Sequence, residues 1–112
     1  MEIPPIVSYR EALTDAMTML AQNPRTLFIG QNTIYGGAVD IHATLAQMPM
    51  DRRIEFPVAE DLQRGVCIGL ALTGWLPVCI YPRFDFLLLA LNQLVNHLDK
   101  FEEMSVAHFR PK

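Results

Sequence analysis

The chain has 112 residues, of which 51% are hydrophobic, and it carries a formal net charge of −3. This length accommodates one domain at most, and the apolar content is sufficient for a packed core. Scattered basic residues and a weak acidic charge exclude the electrostatic footprint of a nucleic-acid-binding protein. The start of the chain, with Glu2 and two prolines, is unlike a signal peptide, and the longest apolar run, over residues 86–91, is too short to span a bilayer.

A helix is predicted near the start of the chain. Ser8 and Glu11 have the spacing of a capping box, and Pro4-Pro5 favour an extended arm over residues 1–7. Asn23-Pro24 ends the helix, because proline does not continue the hydrogen-bonding pattern. The apolar residues of this helix recur at helical spacing: Ala12, Leu13, Ala16, Met17 and Leu20.

The following elements alternate between short apolar strands and helices. We predict strands over 26–29, 53–56 and 76–81, helices over 41–48, 60–73 and 84–101, and a loop over 31–40 with Gly36-Gly37. Gly74 is a natural end for the 60–73 helix. This alternation predicts a three-layer α/β/α fold with a parallel sheet. Three strands are few for such a sheet, so we expect residues 1–112 to be a single, incomplete domain or one that needs a partner.

The most informative segment begins at residue 56 with Phe-Pro-Val-Ala-Glu. It places Glu60 at the start of a glycine-containing apolar helix that follows a short strand. A carboxylate there can accept a strong hydrogen bond from a ligand nitrogen, and the strand-to-helix turn is a common ligand position in parallel α/β folds. The helix macrodipole also favours an acidic residue at this position. The local pattern therefore leaves a binding role and a structural role open.

Several segments together match one protein family in their order and spacing. They are Tyr9-Arg10-Glu11-Ala12-Leu13, Leu27-Phe28-Ile29-Gly30, Tyr35-Gly36-Gly37-Ala38, Phe56-Pro57-Val58-Ala59-Glu60, Gly65 with Gly69, Gly74 with Pro77, and Asn92-Gln93-Leu94-Val95-Asn96-His97. On these segments the chain resembles the β subunit of the decarboxylating component of 2-oxo acid dehydrogenases, the family of the pyruvate and branched-chain enzymes. The resemblance runs from about Tyr9 to Lys112.

The resemblance implies the thiamine diphosphate-binding fold, in its pyrimidine-binding module. In that family the glutamate at the position of Glu60 bonds a ring nitrogen of the aminopyrimidine. It thereby favours the imino tautomer that removes a proton from the thiazolium carbon. Phe86 matches the aromatic residue that stacks on the pyrimidine, with a plain core position as the alternative. The resemblance thus implies Glu60 as a catalytic and cofactor-binding residue and Phe86 as a cofactor-binding residue.

Three features depart from the family pattern. Gln31-Asn32 follow Gly30, where the family usually has an acidic residue that belongs to a proton-carrying chain. Arg83 puts a cation near the expected pyrimidine pocket. The chain ends at Pro111-Lys112, before a further core strand of the family, and it has neither the downstream half nor the Gly-Asp-Gly motif that binds diphosphate and metal. We therefore expect no metal site in this chain.

Two functions follow from the sequence. In the first, the chain is the pyrimidine-binding portion of a thiamine diphosphate-dependent β-type subunit, without activity alone. An α-type subunit would then carry the diphosphate and magnesium site. In the second, it is a non-catalytic, self-associating interaction module derived from that fold. Whether the chain is part of an enzyme therefore stays open, and in both cases we expect a cytoplasmic homo-oligomer that binds neither nucleic acid nor membrane.

Two residue pairs have structural interpretations. Gly65 and Gly69, four residues apart on one predicted helix, favour close helix packing. Cys67 and Cys79 lack the spacing of a metal site, and we expect them to be buried thiols in a reducing compartment.

Overall fold

Three parallel strands form the centre of the domain. The computed structural model describes residues 7–35 and 43–111. Strand β1 spans Thr26–Gly30, β2 spans Arg53–Glu55 and β3 spans Leu76–Ile80. The strand order is β2-β1-β3, and both pairings are parallel. The carboxyl ends of all three strands therefore lie at one edge of the sheet.

The first helix, α1, spans Tyr9–Ala21 and begins with the predicted capping box. The main-chain amide of Ser8 donates to the Glu11 carboxylate at 2.8 Å, and the Glu11 amide donates to Ser8 Oγ at 3.2 Å. These two bonds satisfy amides that the first helical turn leaves without partners. The helix ends before Asn23-Pro24, as the sequence predicts.

Helices cover the sheet on both faces, which confirms the predicted α/β class. On one face, Met17 of α1 packs against residues of β1 and β3 and is part of the hydrophobic core cluster. That cluster contains Met17, Phe28, Leu45, Met48 and Ile80, with Ala21 and Val78 packed against it. On the other face lies α2, which spans Glu60–Leu72 and buries Gln63, Cys67, Ile68 and Ala71.

Gly74 ends α2, as predicted. Its φ is +91°, which glycine adopts without strain because it has no Cβ. The Trp75 amide donates back to the Leu70 carbonyl at 3.0 Å, closing the last turn before β3 begins.

The predicted single helix over 84–101 is wrong. The structure has a short helix α3 at Phe84–Leu88, a π-helical turn at Gln93–His97, a 3-10 turn at Leu98–Lys100 and α4 at Phe101–Met104. At the π-helical turn, Gln93 Nε2 donates to Asp61 Oδ2 of α2 at 3.1 Å. The Gln93 side chain also lies 3.6 Å from the point that a Cβ on Gly65 would occupy. The predicted helix is thus interrupted where Gln93 contacts α2. Hydrophobic periodicity within the segment carries no information about contacts with another helix.

The connection between β1 and β2 is only partly described. Residues 31–35 form turns, whereas Gly36-Gly37 lie outside the described residues. Of the predicted 41–48 helix, residues 41 and 42 also lie outside them, and residues 44–47 form turns rather than a helix. Leu45 and Met48 are nonetheless buried in the core. Within 7–35 and 43–111, no helix is long and apolar enough to cross a membrane.

Candidate functional site

Glu60 is the first residue of α2 and follows β2 through residues 56–59. Its residue surface is only 8% exposed. Within the described part of the chain, the Glu60 carboxylate makes no hydrogen bond or ion pair with another residue. The start of the helix favours its negative charge through the aligned peptide dipoles. A shielded carboxylate without a protein partner can accept a hydrogen bond from a donor on a ligand.

Tyr81 links the start of α2 to the end of β3. Tyr81 directly follows β3, and its hydroxyl donates to the main-chain carbonyl of Glu60 at 3.2 Å. Burial is the main cause that raises the pKa of the Tyr81 phenol, so the hydroxyl keeps its proton at neutral pH. The bond places Glu60 at the carboxyl edge of the sheet, where open α/β folds bind ligands.

Gln63 anchors the first turn of α2 to the sheet. It is 1% exposed, although its side chain is polar. Its Nε2 donates to the Ile80 carbonyl at 3.1 Å, approaches the Ile29 carbonyl at 3.4 Å, and contacts Cys79 Sγ at 3.2 Å. The amide therefore joins α2 to both β1 and β3. Since Gln63 lies one turn after Glu60, these bonds also fix where Glu60 begins the helix.

Phe86 lies on α3, beyond the carboxyl end of β3, and is half-buried. The Arg83 guanidinium lies 4.5 Å from the centroid of its ring. Arg83 also forms a 3.5 Å ion pair with Asp85, and both of these side chains are exposed. The cation that the sequence places near the expected pocket therefore lies over the ring of Phe86 itself.

The loop after β1 is held by a carboxylate from the neighbouring strand. Glu55, the last residue of β2, accepts hydrogen bonds from the amides of Asn32 at 2.7 Å and Ile34 at 3.3 Å. Asn32 has a φ of 57°, a left-handed conformation that asparagine tolerates better than most residues. The family's usual acidic position is thus an amide here, while an acidic side chain reaches the same loop from β2.

Two cavities adjoin Tyr81. One of about 610 Å³ lies between the start of α1 and the end of β3 and is lined by Ser8, Leu13, Thr44 and Tyr81 among others. The second, of about 360 Å³, lies between β3, α2 and α3. Both volumes are in the range of small-molecule sites. Neither cavity is lined by Glu60 or Phe86, so the structure places these two residues at one edge of the sheet without bringing them into one cavity.

Across residues 7–35 and 43–111, no group of three or more His, Cys, Asp or Glu side chains is arranged to hold a metal ion. His97 and His108 are exposed, and His42 lies outside the described residues.

A family model described as the transketolase pyrimidine binding domain matches residues 6–108. The chain belongs to this family. The parallel sheet with helices on both faces agrees with membership of the transketolase pyrimidine-binding family, and the resemblance found in the sequence is confirmed.

Curated relatives of this pyrimidine-binding domain are pyruvate dehydrogenase E1 component β subunits. The protein of Staurastrum punctulatum is 34% identical over 102 residues, which cover 89% of this chain and 30% of the relative. The mitochondrial protein of Chaetomium thermophilum is 33% identical, with 86% and 26% covered. A chloroplastic β-4 subunit of Oryza sativa subsp. japonica is 33% identical, with 90% and 25% covered. The chain thus spans less than a third of the length of these relatives.

Sequence reasoning selected Glu60 and Phe86 but missed the residues that position Glu60. The burial of Gln63 could be predicted from the sequence, because Gln63, Cys67 and Ala71 recur every four residues on one face of α2. Its hydrogen-bond partners on the strands could not. The partner of Tyr81 was not detectable, because its hydroxyl bonds a main-chain carbonyl that is distant in sequence.

Proposed function

We propose that the chain is the pyrimidine-binding part of a thiamine diphosphate-dependent 2-oxo acid dehydrogenase, in its β-type subunit. The observation that carries the proposal is the Glu60 carboxylate. It is shielded, lies at a helix start, and has no partner among the described residues. The Glu60 carboxylate fits the cofactor as a hydrogen-bond acceptor. A protonated pyrimidine nitrogen would supply the donor that this carboxylate lacks within the described residues.

Each residue of the proposed site has a defined role. Glu60 would accept a hydrogen bond from a protonated ring nitrogen of the pyrimidine and so orient that ring. Phe86 presents an apolar ring face to the pyrimidine. Tyr81 and Gln63 would position Glu60 through its main chain and its helix. Bound thiamine diphosphate supplies the electron sink for decarboxylation of a 2-oxo acid.

A partner is part of the proposal. An α-type subunit would bind the diphosphate and its magnesium ion, since the described residues offer no cluster of metal ligands. Relatives of the chain are named as β subunits, which supports assembly with another kind of subunit. This chain alone is then expected to bind the pyrimidine without catalysing decarboxylation. We keep a cytoplasmic location as a prediction, although some relatives are named as mitochondrial or chloroplastic proteins.

Calorimetric titration tests the role of Glu60. We would titrate the chain with thiamine diphosphate and magnesium, and separately with the free aminopyrimidine, which needs no diphosphate site. Glu60→Gln should weaken both by about tenfold or more, because a hydrogen bond to a charged group contributes about 1.5–3 kcal/mol. The matched control, Glu103→Gln in the exposed helix α4, should bind as the wild type does. Equal binding by all three proteins, or no binding of either ligand by a folded wild type, would contradict the proposal.

The self-associating module remains the second candidate, and exposed apolar surface supports it. Leu62 and Val66 on α2 are 57% and 39% exposed. They lie on the outer side of the helix, opposite the buried row. Strand β3 is at the edge of the described sheet, and an open edge favours pairing with another chain. A stable homo-oligomer with no affinity for the pyrimidine would favour this candidate over the first.

A further inference from the structure

Two free thiols meet between α2 and β3. Cys79 lies between Val78 and Ile80 on β3, and its sulfur accepts a hydrogen bond from Gln63 Nε2 at 3.2 Å. Cys67 lies one turn after Gln63 on the same buried face of α2 and is 3% exposed. Since Gln63 reaches Cys79, the next residue along that face is directed at the same part of β3. The two sulfurs therefore face each other across the contact between helix and strand.

Arg64 places a positive charge beside this pair. Its Nε atom is shielded from solvent and has no hydrogen-bond partner. The guanidinium lies 5.4 Å from the centroid of the Tyr81 ring, and no carboxylate in the described ranges pairs with it. Arg64 as a whole is half-buried, and a nearby negative charge stabilises a partly shielded cation. A thiolate at Cys79 would supply the missing negative charge.

The two thiols differ in access. Cys79 lines the 360 Å³ cavity between β3, α2 and α3, together with Arg64, Tyr81 and Arg83. Cys67 does not line this cavity but lines a smaller one of about 70 Å³, with Arg64 and Pro77. Cys67 is 3% exposed, whereas Cys79 is half-buried. A molecule the size of a peroxide fits easily, since one water occupies about 30 Å³ in the liquid. The larger cavity and the greater exposure therefore make Cys79 the more accessible of the two thiols.

The same contacts separate the acidities of the two thiols. The hydrogen bond from the Cys67 thiol is the largest cause that lowers the pKa of Cys79 to about 6. The interaction with Cys79, followed by burial, raises the pKa of Cys67. Thiolates, not thiols, are the nucleophilic form. Cys79 is therefore the reactive member of the pair at neutral pH.

We propose that Cys79 is a peroxide-reactive modification site and that Cys67 resolves its oxidised form into an intramolecular disulfide. The Cys79 thiolate attacks hydrogen peroxide, an S–O bond forms as the O–O bond breaks, and the sulfenic acid is formed. The hydroxide that leaves takes up a proton and becomes water. The Cys67 sulfur then attacks the sulfenic sulfur, the S–S bond forms, the S–O bond breaks, and water leaves with the Cys67 proton. Both thiols are oxidised as one peroxide is reduced to water. The proposal does not depend on cofactor binding.

Peroxide treatment of the full folded chain, followed by mass spectrometry, tests the proposal. The wild type should lose two hydrogen atoms and yield a peptide pair linked through Cys67 and Cys79. Cys67→Ala should instead accumulate a sulfenic acid at Cys79, which dimedone traps. Cys79→Ser should leave Cys67 unmodified in the native protein. Met104, which is 76% exposed, becomes the sulfoxide in every sample and shows that oxidant was present.

A charge variant separates the proposed role of Arg64 from a purely structural one. Arg64→Met should slow the oxidation of Cys79 by about three- to tenfold, since a neighbouring cation stabilises the attacking thiolate. Arg110→Met, which removes an exposed partner of Glu102, should not change the rate. Cys67→Ser serves as a second resolving-thiol variant if Cys67→Ala does not fold. Two free thiols in a wild type whose Met104 is oxidised, or an unchanged rate in Arg64→Met, would overturn the proposal.

Discussion

The Tyr81 hydroxyl donates a 3.2 Å hydrogen bond to the main-chain carbonyl of Glu60. This bond joins the residue after β3 to the first residue of α2. One turn later, Gln63 bonds the Ile80 carbonyl at the end of the same strand. The two contacts fix the start of α2 relative to the sheet, and with it the carboxylate proposed to bind the pyrimidine.

Removing the Tyr81 hydroxyl should loosen this junction. Tyr81→Phe keeps the ring against Arg64 but deletes the donor to the Glu60 carbonyl, so we expect the free energy of unfolding to fall by about 1 kcal/mol. Urea denaturation measures the change. The control is Tyr9→Phe, because Tyr9 is 83% exposed and should show almost no effect. Equal stability of the two variants would show that the junction does not depend on this bond.

Two glycines should respond oppositely to alanine. A Cβ at Gly69 would meet no atom within 4 Å, so Gly69→Ala should stabilise α2 by about 0.5–1 kcal/mol through helix propensity. At Gly30 a Cβ would lie 2.7 Å from the Ile80 carbonyl oxygen, and Gly30→Ala should destabilise the chain by about 1–3 kcal/mol. Thermal or urea unfolding of both variants checks the signs. A stabilising Gly30→Ala would contradict the close pairing of β1 and β3.

The Cys79 thiol should titrate well below its usual range. We expect thiolate absorbance in the ultraviolet with a midpoint near pH 6, against an ordinary pKa of 9.0. Cys67→Ala should raise the midpoint, because it removes the hydrogen bond that lowers the pKa most. Cys79→Ser identifies the signal by abolishing it. A wild-type midpoint near 9 would show that the thiols do not interact.

The same shift has a consequence for stability. Because the folded pKa of Cys79 lies below the unfolded value, the unfolded chain binds more protons between pH 6 and 9. The contribution of this thiol is therefore fully present above pH 9 and is lost as the pH falls through about 6. Cys67, whose pKa is raised, loses its contribution only as the pH rises above 9. The difference in unfolding free energy between wild type and Cys79→Ser should thus shrink from pH 9 to pH 6.

The outer face of α2 should govern self-association. Light scattering at micromolar concentration should report an oligomer for the wild type, and Val66→Asp should reduce its mass because it places a charge on the exposed apolar row. Met104→Asp on α4 is the control, since Met104 is also exposed but lies on another helix. A monomeric wild type would contradict the expected homo-oligomer.

Local signals explain which parts of the fold were predictable. The capping box of Ser8 and Glu11 and the positive φ of Gly74 depend on neighbours in sequence, so the pattern specifies them. The break after α3 depends instead on Gln93 meeting Gly65 and Asp61 of a different helix. The spacing of apolar residues in α-helical, π-helical and 3-10 turns is similar, so the sequence pattern predicted one long helix.

Only those residues of the candidate site that match the family's motifs could be predicted from the sequence. The resemblance selected Glu60 and Phe86, which the structure places at the carboxyl edge of the sheet. The meeting of Cys67 with Cys79 depends on how α2 lies over β3. The unpaired Nε atom of Arg64 likewise becomes visible only in three dimensions. Composition and spacing describe both cysteines as ordinary apolar positions.

The most direct test of the central claim is an isotope-edited nuclear Overhauser measurement on the labelled chain with thiamine diphosphate and magnesium. Protons of the aminopyrimidine should show contacts to the Phe86 ring and to the Glu60 side chain, and Glu60→Gln should weaken them at equal ligand concentration. Contacts confined to other residues of a folded chain, or none at a concentration that saturates binding, would contradict a pyrimidine site built on Glu60.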